Sequence, residues 1–202
     1  GTATRIVVAL AALVSLSGLT ACDSKVGAAA YIDGERISEQ QLNTYVLPGA
    51  KPFQNQQGRT LYPKTYVLQQ LIQGRVADRI IADHGGTMTA AEARAARAQV
   101  LGSNTEDQII EQVAASGFSA KAEGVLVDTA TRLVVLQKRF PAVADASQLL
   151  AAVQKADVRV SVSPRYGKWD PSTLSVTNGP ARGNFMTGTN VAVASTPAAP
   201  AQ

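Results

Sequence analysis

The chain has 202 residues, a formal net charge of +4 and an aromatic content of only 5%. The positive charge is spread without a basic run and few rings are available for base stacking, so we expect no nucleic-acid binding. A single cysteine and a single histidine exclude an internal disulfide and leave no His/Cys cluster typical of a zinc site. We therefore expect one domain with neither a metal nor a cofactor.

The amino terminus is typical of an export signal. Arg5 precedes an uncharged, mostly apolar run over residues 6–19, which is short for a membrane span. The residues Leu-Thr-Ala come directly before Cys22 and resemble the bacterial lipobox, in which the chain is cut before a diacylglyceryl-modified cysteine. An ordinary signal, or an uncleaved anchor helix with an incidental cysteine, is the alternative.

We accordingly predict a lipoprotein signal peptide over residues 1–21, lipidation at Cys22 and a polar tether over residues 22–27. Two or more acyl chains anchor a protein stably, whereas one chain binds reversibly. The expected location is extracytoplasmic, with the protein held on the cell membrane through Cys22.

A strand and a capped helix are the first elements predicted after the tether. Residues 28–32 form a short apolar stretch, and Asp33-Gly34 is typical of a tight turn. Ser38 lies three residues before Gln41, which is the spacing of a capping box and predicts that a helix begins there.

The middle of the chain is predicted to be helical. Residues 51–59 are polar and indicate a loop, and Pro63 suits the first turn of a helix. Apolar residues then recur at three- and four-residue steps up to Ile80. Four further helices are expected, at about residues 90–101, 105–115, 119–140 and 149–156. Ser119 is the expected N-cap of the third of these.

A second strand-like segment lies near the other end. Val158, Val160 and Val162 alternate with polar residues, and Pro164 ends the pattern because proline has no N–H for a ladder. A lone strand would leave its backbone groups unpaired, so the two terminal strands should pair with each other. We therefore predict a mainly α fold in which a small sheet joins residues 29–32 to residues 158–163.

The final residues favour no packed structure. Residues 177–202 are rich in Ala, Pro and Thr without periodicity, and we predict a disordered tail. The predicted domain therefore covers residues 28–176.

The sequence offers no recognisable catalytic group. His84 lies at a predicted helix end, where it can bond to carbonyl groups. Asp78 and Asp83 are expected to be solvent-exposed acids paired with Arg75 and Arg79 on the same helix.

Two segments resemble the chaperone domain of the SurA, PrsA and trigger-factor type. Residues 29–38 resemble its entry strand, turn and capped helix, with Asp33 where the pattern often has asparagine. Residues 160–170, which read VSVSPRYGKWD, resemble its returning segment. The residues that carry the motif are Asp33, Gly34, Ser38, Pro164, Arg165, Tyr166, Gly167 and Trp169.

The resemblance implies a helical domain that binds unfolded or extended polypeptides. Members of the family often carry an inserted parvulin prolyl-isomerase domain, but between Gly117 and Val158 there is room for only two helices. Isomerase activity is therefore not expected, and we predict a chaperone-like protein that is not an enzyme. The partners implied are unfolded or secreted polypeptides, and the membrane through the lipid anchor.

Two alternatives stay open at this point. Phe53, Tyr62 and Tyr66 are candidate contacts for a bound peptide, but the same side chains would also suit the protein's own core. At the level of function, the alternative is a non-enzymatic adaptor lipoprotein that docks one specific envelope protein.

Overall fold

The computed structural model describes residues 26–54, 60–141 and 145–177. The helices are α1 (Glu39–Tyr45), α2 (Pro63–Asp83), α3 (Ala90–Leu101), α4 (Glu106–Ala115), α5 (Lys121–Arg139) and α6 (Ala146–Lys155). The strands are β1 (Ala28–Ile32), β2 (Glu35–Ser38), β3 (Phe53–Gln54), β4 (Thr60–Leu61), β5 (Val160–Val162), β6 (Lys168–Asp170) and β7 (Ser175–Thr177). No helix in these ranges combines the length and apolar character needed to cross a bilayer. The predicted signal peptide, Cys22 and residues 178–202 lie outside the described residues.

Helix α2 lies at the centre of the core. It begins at Pro63, whose missing N–H would have had no intrahelical partner at that position. Its side chains Leu68, Ile72 and Ile80 have no exposed surface. Helix α5 packs along α2, and a Cβ at Gly74 would lie 3.0 Å from the Thr129 hydroxyl of α5. Glycine therefore permits the close approach of the two helices.

Local capping signals account for α3 and α4. Thr89 and Glu92 form the predicted capping box of α3, and Thr105 and Gln108 form one at α4. The prediction that Ser119 caps α5 was wrong. Its hydroxyl instead donates to the Thr44 carbonyl at 2.6 Å, so it links the start of α5 to the end of α1.

A three-stranded antiparallel sheet joins the two ends of the domain, in the order β2-β1-β5. In β1, Ala30, Tyr31 and Ile32 are opposite Val162, Ser161 and Val160. The predicted mainly α fold with a sheet made from distant segments is confirmed. The return strand is shorter than the predicted 158–163, and Thr177 belongs to β7 rather than to the predicted tail.

Two further predictions need correction. The segment over residues 51–59 is not a loop throughout, because Phe53–Gln54 pairs with Thr60–Leu61. Of the predicted ion pairs along α2, that between Arg79 and Asp83 is present, whereas Arg75 and Asp78 pair with residues of other elements. Arg75 binds Glu35 at 2.6 Å and Asp78 binds Arg132 of α5 at 2.8 Å, while Arg79 and Asp83 are 4.0 Å apart.

Candidate functional site

The Asp33-Gly34 turn ties the first hairpin to the return strand. Both residues have positive φ, 50° and 86°, as a two-residue type I′ turn requires, and Asp and Gly tolerate that region best. The Asp33 N–H donates to the Arg159 carbonyl, and the Asp33 carboxylate accepts from the Arg159 N–H, both at 2.9 Å. Asp33 therefore extends the pairing of β1 and β5 by one residue.

Glu39, at the start of α1, is the second link between the chain ends. Its carboxylate accepts a hydrogen bond from the Arg165 guanidinium at 2.9 Å and another from the Tyr166 hydroxyl at 2.5 Å. Burial, and then the bond to Glu39, raise the pKa of Tyr166 well above its ordinary value. The phenol therefore stays protonated and remains a hydrogen-bond donor.

The remaining motif residues have structural positions in the same region. The Ser38 hydroxyl accepts from the Gln41 N–H at 3.0 Å and caps α1. Pro164 is exposed just after β5, and buried Gly167 has a φ of 119° that favours glycine. Trp169, in β6, packs against the core.

A buried amide holds the β6–β7 hairpin on α2. Gln73 is 8% exposed and donates to the Leu174 carbonyl at 2.6 Å. Leu174 is itself buried and has a φ of 46°, a conformation that non-glycine residues adopt at a cost. Neither residue was identified from the sequence, because no local pattern links positions so far apart.

Two of the three candidate peptide contacts, Phe53 and Tyr66, lie in an aromatic cluster. Phe53 and Tyr66 are 5.6 Å apart between ring centroids and meet edge to face, and each packs on Phe118, at 5.6 and 5.8 Å. Phe118 is 2% exposed, and burial raises the pKa of Tyr66. Tyr62 is the N-cap residue of α2, one helical turn before Tyr66. Phe53 and Tyr66 thus contact other rings of the domain, an arrangement typical of a core.

The outer face of the sheet offers a more open surface. A groove of about 300 Å³ is lined by Tyr31, Asp33, Gly34, Arg159, Val160 and Ser161. Tyr31 lies between Arg36 on β2 and Ser161 on β5. The groove therefore runs along β5, and its charged lining residues are one cation, Arg159, and one anion, Asp33.

His84 has structural partners at the end of α2. Its Nδ1 lies 3.0 Å from the Ile80 carbonyl oxygen, its Nε2 lies 3.5 Å from the Lys155 amine, and its ring meets Phe140 edge to face. These contacts match the predicted structural role at a helix end.

Arg139 of α5 holds the connection between α2 and α3. Its guanidinium binds the Glu92 carboxylate at 2.6 and 2.9 Å and also donates to the Gly86 carbonyl at 2.7 Å. These charge-assisted bonds from Arg139, followed by those from Thr89, lower the pKa of Glu92 to about 2.

Exposed apolar surface is limited in the described part of the chain. The large hydrophobic side chains exposed there are Val26, at 73%, and Leu47, at 41%. Scattered apolar residues of this kind are normal on a soluble surface and do not by themselves mark a broad apolar groove.

Comparisons with known proteins found no matching family model, no matching curated protein and no matching solved structure. The family resemblance therefore rests on the motif residues and on the positions that they occupy in the fold.

Proposed function

We propose that this protein is a lipid-anchored, extracytoplasmic polypeptide-binding protein of the SurA-N type that is not an enzyme. The observation that carries the proposal is the meeting of the entry and return motifs. Asp33 bonds to Arg159, and Glu39 bonds to Arg165 and Tyr166. The motif residues thus make contacts that close one domain, as the resemblance implies.

The binding function is tested by aggregation suppression. The mature chain, purified from membranes in mild detergent, should slow the aggregation of several unrelated proteins diluted from denaturant. Detergent alone and an inert protein of similar size are the controls. Absence of suppression at several-fold molar excess, for every substrate tried, would count against the proposal.

A second function, docking of one specific envelope protein, is favoured by the small exposed apolar surface of the described residues. A general holdase gains from broad apolar contact, whereas one partner can be recognised through a small patch with polar edges. Suppression confined to one substrate among many unrelated ones would support this adaptor function over the general one.

Lipid anchoring is tested separately. Labelled palmitate should enter the protein in a bacterial host, and Cys22→Ser should abolish the labelling and release the chain from the membrane. Equal labelling of the variant would contradict acylation at Cys22. This result does not depend on whether the domain binds polypeptides.

A further inference from the structure

Two hydrogen bonds fix the point at which the chain enters the folded domain. The Arg36 guanidinium donates to the Val26 carbonyl at 2.6 Å, and the Glu39 N–H donates to the Gly27 carbonyl at 2.8 Å. Gly27 has a φ of 70°, and a Cβ there would lie 3.2 Å from the Arg36 guanidinium. Glycine therefore lets this guanidinium lie against the backbone at the entry point.

The entry point is close to the proposed lipid anchor in sequence. Three residues, 23–25, separate Val26 from Cys22, and their charges, Asp23 and Lys25, cancel. An extended chain spans at most about 3.6 Å per residue, so Val26 lies within about 14 Å of Cys22. An acylated cysteine lies at the membrane surface, because its acyl chains are in the hydrocarbon. The tether therefore holds the region around Val26 near the bilayer.

The charged groups of this region leave a positive surplus. Glu39 pairs with exposed Arg165 at 2.9 Å, and Glu35 pairs with Arg75 at 2.6 Å. Arg36 is exposed and belongs to none of the ion pairs among the described residues. Three cations and two anions leave a net charge of +1. Anionic headgroups attract such a charge over about 8 Å, the Debye length at physiological ionic strength.

The same region presents an apolar side chain to solvent. Val26 is 73% exposed, whereas Leu47, the other exposed large hydrophobic residue of the described chain, is 41% exposed. Contact with water is unfavourable for such a side chain, and burial at the boundary of headgroups and acyl chains removes it. An apolar side chain beside an unpaired cation is the combination that favours binding to an anionic membrane surface.

We propose, on the basis of the proposed lipid anchor, that an anchor-proximal surface formed by Val26, Gly27, Arg36 and Arg165 docks on anionic lipid headgroups. A guanidinium has five N–H donors, so the bond to the Val26 carbonyl leaves Arg36 donors for headgroup phosphates. The Val26 side chain enters the headgroup layer beside it. Docking holds the domain in one orientation on the membrane instead of leaving it to rotate on the tether.

The test places one thiol-reactive fluorophore beside this surface. Acylation blocks the Cys22 thiol, so Gln40→Cys, at an exposed position next to Glu39, provides the one free thiol. The mature lipoprotein is reconstituted into vesicles with equal amounts of nitroxide-headgroup lipid, made either of phosphatidylglycerol and phosphatidylcholine or of phosphatidylcholine alone.

Quenching of the Gln40→Cys label should be several-fold stronger in the vesicles that contain phosphatidylglycerol. About 1 M salt should remove the difference, because it screens the charges. A label at Gln99→Cys, exposed on α3, should be quenched equally in both kinds of vesicle. Equal quenching of the Gln40→Cys label in the two would overturn the docked surface.

Arg36→Gln, in the labelled chain, removes the unpaired charge and keeps an amide that can bond to the Val26 carbonyl. The ratio of docked to undocked protein should fall about fivefold, as expected for one basic residue at a membrane surface. Arg94→Gln is the matched control, because Arg94 is also exposed and also bonds to a carbonyl, that of Ala90. Full quenching in a folded Arg36→Gln variant would overturn the proposal. The comparison of vesicles stays decisive if that variant does not fold.

Flotation separates this inference from the anchor on which it rests. A chain that floats with the vesicles while its Gln40→Cys label is unquenched overturns the docked surface and leaves the lipid anchor standing. A chain that does not float overturns both. Self-quenching that rises with protein density, without quenching by the lipid, would show a second copy on this surface and would also overturn the proposal.

Discussion

Two junctions of the domain are built in different ways. At the junction of the chain ends, Asp33 and Glu39 bond to residues more than a hundred positions away. At the α2–α3 connection, Thr89 and Glu92 form a local capping box to which Arg139 adds a distant partner. The first junction therefore depends on long-range pairing. At the second, the capping box of Thr89 and Glu92 would remain if the contact with Arg139 were lost.

Removing the Gln73 amide should have the largest effect, because it holds the carboxyl-terminal hairpin on α2. Gln73→Ala leaves the buried Leu174 carbonyl without its donor, which costs about 2–3 kcal/mol of unfolding free energy. Chemical denaturation measures the change. Gln137→Ala, at an exposed position of α5, is the control, and equal stability of the two variants would contradict the role given to Gln73.

Asp33→Ala tests the long-range junction at the first hairpin. Alanine is strained at a φ of 50° and cannot accept from Arg159, so we expect a loss of about 2 kcal/mol. Asp33→Asn keeps both the tolerance for this conformation and an acceptor oxygen, and should lose much less. Denaturation curves in which the two variants coincide would show that the turn does not act as described.

Tyr166→Phe removes one bond between the chain ends. The loss should be about 1 kcal/mol, as for a typical hydrogen bond. A double-mutant cycle with Glu39→Gln tests the contact itself, because the two effects should not add if the side chains interact. Additive losses would mean that the phenol and the carboxylate act independently.

The smallest expected effect is an acid dependence at the α2–α3 connection. The pKa of Glu92 is lowered from 4.5 to about 2, so its contribution is present in full above pH 4.5 and is lost as the pH falls towards 2. Melting temperatures should show less decline over this range in Glu92→Gln than in the unaltered chain. Glu111→Gln, on the exposed side of α4, should decline as the unaltered chain does.

The same contrast explains what the sequence could predict. The capping boxes at Thr89 and Thr105 and the Asp33-Gly34 turn depend on neighbouring residues, so their spacing was sufficient. Period-two alternation indicated β5, and the need to pair its backbone indicated β1 as its partner.

Side-chain partners between distant elements could not be predicted in this way. Arg75 binds Glu35 rather than Asp78, and Ser119 binds Thr44 instead of capping its own helix. Likewise, Phe118 joins Phe53 and Tyr66 only because the helices bring residue 118 back to α2. Such contacts follow from packing of the whole domain, which propensity and spacing do not specify.

Pairing of the two chain ends is the claim on which the rest depends, and a disulfide tests it directly. Tyr31 and Ser161 are opposite each other on β1 and β5, within the Cα separation that a disulfide can bridge. With Cys22 replaced by serine, the Tyr31→Cys, Ser161→Cys chain should form this disulfide under mild oxidant, run faster on a non-reducing gel and melt at a higher temperature. Thiols that remain free in the folded, oxidised protein would contradict the pairing.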